Sequence, residues 1–116
     1  MELSANSGRQ LENMVFVELL RRGFSISKKD LFYYRTSNGK EIDFVTKKGT
    51  SLGELIQVSY DISRPKTRQR ELDALVIASE ELGCNNLTLI TWDADEITNY
   101  KGKDIKIVSA KNWFLK

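Results

Sequence analysis

The sequence predicts an α/β domain with a mixed central sheet of four to five strands flanked by helices, in the order αβββαββα. Two long stretches, 9–22 and 65–82, repeat their apolar residues at helical spacing. Between them, short extended runs joined by tight turns predict an antiparallel meander. A short, mostly apolar run follows the second helix, so that helix is a crossover and the sheet is mixed.

Residues 1–8, with Ser4, Asn6, Ser7 and Gly8, read as a disordered lead-in to a single domain over 9–116. In the first helix Leu11, Met14, Val15, Phe16, Leu19 and Leu20 give a wide apolar face, and Gly23 stops it. Residues 25–27 and 31–36 are extended, the second run ending in the turn sequence Ser37-Asn38-Gly39. The strand 40–47 sets Glu41, Asp43 and Val45 on one face and Ile42 and Phe44 on the other. After Lys48-Gly49-Thr50-Ser51, the strand 52–60 opposes Leu55, Gln57 and Ser59 to Ile56, Val58 and Tyr60. The second helix opens on the only proline, where the first turn has no use for an N–H, and ends at Gly83. Its stripe is Leu72, Leu75, Val76, Ser79 and Leu82. Residues 87–92 read as a buried strand, 93–103 as a polar loop and 105–108 as a last strand. A terminal helix, 110–115, is anchored by Trp113 and Phe114.

At 116 residues the chain suffices for one core but not two. A composition of 41% hydrophobic and 29% charged residues excludes a disordered chain. Cys84 is the only cysteine and there is no histidine, which excludes an internal disulfide. The same absence removes the usual zinc ligands and the usual general base. No apolar run approaches the roughly 20 residues that span a bilayer, and the start lacks a signal peptide's apolar stretch. The expectation is a cytoplasmic protein with no membrane contact. A net charge of +2 permits phosphate contacts without demanding them. Neither Gly39-Lys40 nor Gly102-Lys103 has a glycine five positions earlier, so the chain holds no P-loop.

Two acids stand out. On a helical wheel Glu12 lies about 20° from Leu19, 40° from Phe16 and 60° from Val15, in the middle of the apolar face read above. A carboxylate buried there needs a cation, a metal or a hydrogen-bond network, and Arg68 or Arg70 of the second helix are candidate partners. Asp43 sits mid-strand, where aspartate is a poor former, with Glu41 two residues before it. Paired carboxylates on one sheet face suit Mg²⁺ or Mn²⁺, although taken alone a solvent-facing hairpin strand is the commoner explanation.

The run Gly39-Lys40-Glu41-Ile42-Asp43-Phe44-Val45, a turn, then Leu55-Ile56-Gln57-Val58-Ser59-Tyr60 resembles the hairpin of PD-(D/E)XK nucleases. Glu12 fills the place of that superfamily's helical glutamate. The match is nearest to the C-terminal domain of a group of bacterial and archaeal AAA-type ATPases. Glu12-Asn13, Tyr60, Arg70-Glu71 and Trp113-Phe114-Leu115 are shared with it. The resemblance implies a restriction-endonuclease-like fold and a catalytic, metal-holding set of Glu12, Asp43 and Gln57, with Mg²⁺ weakly held or absent. It also implies an ATPase domain in the same parent chain.

Two departures matter. Gln57 stands where an acid is usual, and Ser59 stands where a lysine steadies the phosphate. Losing one such electrostatic contributor costs about two to three orders of magnitude in rate. Lys47 is about 13 Å along the strand from Asp43, too far to replace it, and Glu54 could add a carboxylate near the strand start. Arg64, Lys66, Arg68 and Arg70 form a basic run that suits DNA phosphates or a solvated helix face. Tyr33 and Tyr34 suit base stacking or half-buried packing. The expected function is therefore a non-cleaving accessory domain of a larger ATPase that binds nucleic acid or a protein. The alternatives are a metal-dependent DNA phosphodiesterase with an altered site and a structural or oligomerising module.

Overall fold

The computed structural model describes residues 3–116, with side chains from residue 6 onward. Its order is α1 (Leu3–Arg21), β1 (Leu31–Arg35), β2 (Glu41–Lys48), β3 (Ser51–Val58), α2 (Pro65–Leu82), β4 (Leu87–Thr91), β5 (Glu96–Tyr100), β6 (Lys103–Ser109) and α3 (Ala110–Phe114). The first helix starts at Leu3 rather than at residue 9, so the expected lead-in is helical over 3–8. Its first two residues lie outside the described part. Residues 25–27 form no strand. The chain turns over 26–29, with Lys29 in the left-handed region and its N–H donating to Ile26 O at 2.9 Å.

The six strands run β1-β2-β3-β4-β6-β5 in one mixed sheet. β1, β2 and β3 form the antiparallel meander, α2 crosses over, and β3, β4 and β6 are parallel. The sixth strand is β5, an antiparallel edge strand on β6 within the stretch read as a polar loop. Helices cover both faces. One core packs α2 through Leu72, Leu75 and Ala78 against Val45, Leu55, Leu89 and Ile107. The other packs Leu11, Val15 and Leu19 of α1 and Trp113 of α3 against Phe44, Ile56, Ile90 and Val108. α2 begins at Pro65 and closes at Gly83, whose φ of 70° lets its N–H reach Ser79 O. Among the described residues no helix is long and apolar enough to cross a membrane.

Strict alternation fails in β2. Phe32 pairs with Val45 and Tyr34 with Ile42, so Asp43 and Phe44 together oppose the single residue Tyr33. This β-bulge moves Phe44 to the α1 face while Ile42 and Val45 both face α2. The expected grouping of Glu41, Asp43 and Val45 on one face does not hold, because one extra residue resets the period.

Candidate functional site

The bulge sits where β2 and β3 part. Their ladder pairs Phe44 with Ile56 and continues only toward the turn, while β2 stays paired with β1 as far as Glu41. Separating strands leaves backbone groups without ladder partners, and in a buried place these must be satisfied otherwise. Two side chains do this. Asp43 Oδ2 accepts the Val58 N–H at 2.8 Å. Gln57 Oε1 accepts the Asp43 N–H at 2.8 Å, and its Nε2 donates to Glu41 O at 3.0 Å and to Glu71 Oε1 at 2.9 Å. The backbone N–H and C=O fix which end of the amide is which, so its oxygen is committed to the Asp43 N–H.

Around this latch lies a cleft of about 490 Å³ lined by Glu12, Lys40, Glu41, Asp43, Gln57, Arg70 and Glu71 among others. Burial pushes the Asp43 carboxyl up to about 7; the Val58 N–H opposes that rise, and the charges of Glu12, Glu71 and Glu41 add to it. Burial also raises the Glu71 carboxyl, against the pull of Arg70 and Lys40. The structure therefore brings Glu12, Asp43 and Gln57 to one cleft. It adds Glu71 and Lys40, which sequence reasoning missed. For Glu71 a signal existed, since on the α2 wheel it lies about 20° from Ala78 and 40° from Leu75, inside the buried stripe. Lys40 precedes β2 at a turn and carried no such signal.

Other expectations are corrected. Glu12 is exposed, not buried. α1 buries Leu11, Val15 and Leu19 against the sheet and stacks a half-buried Phe16 on Phe44, while Met14 and Leu20 face solvent. The apolar face is thus narrower than read, and Glu12 falls at its edge. The buried acid of α1 is Glu18, whose carboxyl is held at about 2 by hydrogen bonds from Arg21 and Arg22. Arg22 also donates to Trp113 O at 2.9 Å and lies 4.2 Å over the Trp113 ring, tying α1 to α3. Neither Arg68 nor Arg70 partners Glu12 or Asp43. Arg68 grips Glu96 through two bonds of 3.0 and 2.9 Å, and Arg70 stands 3.6 Å from Glu71. Glu54 accepts from the Thr88 hydroxyl and lines a different cleft, with Arg22 and Lys48. Tyr34 donates to Glu81 at 2.6 Å and packs on the α2 core, which leaves Tyr33 as the exposed ring.

Among the described residues no three acidic side chains draw together closely enough to hold an ion. Gln57 Oε1 already accepts a backbone N–H, and Asp43 Oδ2 accepts another.

Comparison with known proteins gives few functional words. An uncharacterized protein of Methanocaldococcus jannaschii is 36% identical over 99% of this chain, which covers 26% of that protein. An uncharacterized protein of Haemophilus influenzae is 32% identical over 96% of the chain, covering 24% of its own length. The chain thus spans about a quarter of the length of these relatives. No solved structure matches it significantly. A family described as a domain of unknown function matches residues 7–112, nearly the whole chain. This chain belongs to that family, DUF4143.

Proposed function

We propose that the chain is a cytoplasmic accessory domain of a larger ATPase, nuclease-like in fold, which binds nucleic acid or a protein partner without cutting. One observation carries the non-cleaving part: the side chains at two nuclease positions, Asp43 and Gln57, serve as backbone partners across the β2–β3 gap. Ser59 supplies no cation beside them, and among the described residues no three acids are placed to hold one ion. The greater length of the relatives supports a parent protein with further domains. A protein partner has its own support. α1 leaves Met14, Val17 and Leu20 exposed, and Met14, Val17 and Phe114 line a groove of about 580 Å³.

Incubation with single- and double-stranded DNA in Mg²⁺ or Mn²⁺ tests the proposal. No cleavage above the protein-free control is expected, and cleavage abolished by Asp43→Ala overturns it.

Lys40 favours a second reading, an altered phosphodiesterase. Its side chain lines the same cleft as Asp43 and supplies the positive charge that Ser59 lacks. On that reading cleavage is lost in both Asp43→Ala and Lys40→Ala.

A further inference from the structure

We propose that the stacked pair Tyr60–Trp92 and the groove beside it, edged by Arg9 and Arg70, bind single-stranded nucleic acid, with a base on the aromatic pair and phosphates on the guanidiniums. The inference rests on the reading of the chain as a partner-binding domain and commits it to one class of partner.

The platform is built by the sheet. β3 and β4 are parallel neighbours, and their ladder continues past both strand ends. Ser59 N–H donates to Ile90 O at 2.9 Å, and Trp92 N–H to Tyr60 O at 3.0 Å. With both backbones fixed, the rings stack with centroids 5.4 Å apart and planes within 16°. Trp92 nevertheless remains 48% exposed, so a broad π-face is open to solvent at the carboxyl ends of parallel strands. Ligands of open α/β sheets gather at such ends. Any nucleobase has a matching face.

The groove supplies charge. It holds about 360 Å³ and is lined by Arg9, Glu12, Ser59, Tyr60, Thr67 and Arg70 among others. Arg9 forms no ion pair among the described residues, and its guanidinium donates to the neutral Asn6 at 2.6 Å. Arg70 is exposed and meets Glu71 only at 3.6 Å, which leaves donors for a phosphate. Glu12 lies in the groove and Asp61 on its lining, the latter with its carboxylate accepting the Ser63 N–H. These acids work against the dense charge of a duplex, and stacking on Trp92 needs an unpaired base. Both features select a single strand.

Fluorescence anisotropy with labelled oligothymidylate of about 12 nucleotides tests the site, with an RNA strand, an abasic strand and a duplex alongside. Trp92→Ala, or Trp92→Leu to keep apolar bulk should alanine unfold the chain, is expected to weaken binding about 5- to 100-fold. The dependence on log salt stays unchanged in that variant. Arg9→Ala and Arg70→Ala each reduce the slope by about 0.7. The abasic strand binds wild type no better than the Trp92 variant binds the intact strand. The tighter of the DNA and RNA strands identifies the source. Binding indifferent to Trp92, or a duplex bound as tightly as a single strand, overturns the inference. Absence of any binding also overturns it, while a partner-binding domain with a protein ligand still stands. Asp43-dependent cleavage of the strand would instead overturn the non-cleaving reading and leave the binding site intact.

Discussion

The Asp43 carboxylate accepts the backbone N–H of Val58 at 2.8 Å, across the gap that opens where β2 and β3 stop pairing. Gln57 spans the same gap in the opposite direction. Between them the two side chains stand in for the missing ladder.

Removing the amide should therefore cost stability. Gln57→Ala strips partners from the Asp43 N–H and the Glu41 C=O, each a partly buried group, and is expected to lose about 2–4 kcal/mol in urea unfolding. Gln57→Glu restores the acid of a nuclease pattern but loses both donors and adds charge beside Glu71. It should destabilise too. Hydrogen exchange localises the effect, with the Asp43 N–H losing protection in Gln57→Ala. Unchanged stability and protection in both variants would contradict the latch.

Asp43 also predicts a pH dependence. Its folded value of about 7 lies above the ordinary 3.8, so the folded chain holds a proton that the unfolded chain releases. That stabilisation is complete below the unfolded value and is lost as pH rises through about 7. Its size is of the order of 2–4 kcal/mol at most. Glu71, also raised by burial, acts in the same sense. The carboxyls held low, Glu18, Asp61, Asp73, Glu81, Asp95 and Glu96, have finished titrating by then. Unfolding free energy measured from pH 5.5 to 8 should fall with pH, and Asp43→Asn should flatten most of that fall.

The two acids of α1 should behave differently. Glu18 anchors Arg22, which in turn caps the Trp113 ring and carbonyl, so Glu18→Ala should lower the thermal midpoint. Glu12 is exposed, and Glu12→Ala should leave the midpoint near that of the wild type. The reverse order, seen by circular dichroism, would restore Glu12 to a core role.

Much of the architecture was legible because local signals agreed with the tertiary outcome. Pro65 and Gly83 bracket α2, and the apolar run from Leu87 gives a strand buried on both faces. β5 escaped because an edge strand has little to bury. Glu96, Ile97 and Asn99 are all exposed, so Glu96–Tyr100 shows no apolar alternation. The bulge escaped because a period of two has no means of announcing an extra residue. Asp43 itself was legible as an acid misplaced in a strand. Its task was not, since the gap it spans exists only once β1 holds β2 away from β3. Glu12 was misjudged because Phe16 and Leu20, the apolar residues on its far side, were counted as core, whereas one is half-buried and the other exposed.

Calorimetric titration of the chain with Mn²⁺ tests most directly whether Asp43 and Gln57 serve the fold rather than an ion. No saturable heat that Asp43→Ala removes is expected. A one-to-one binding isotherm lost in Asp43→Ala but kept in Glu18→Ala would contradict that expectation.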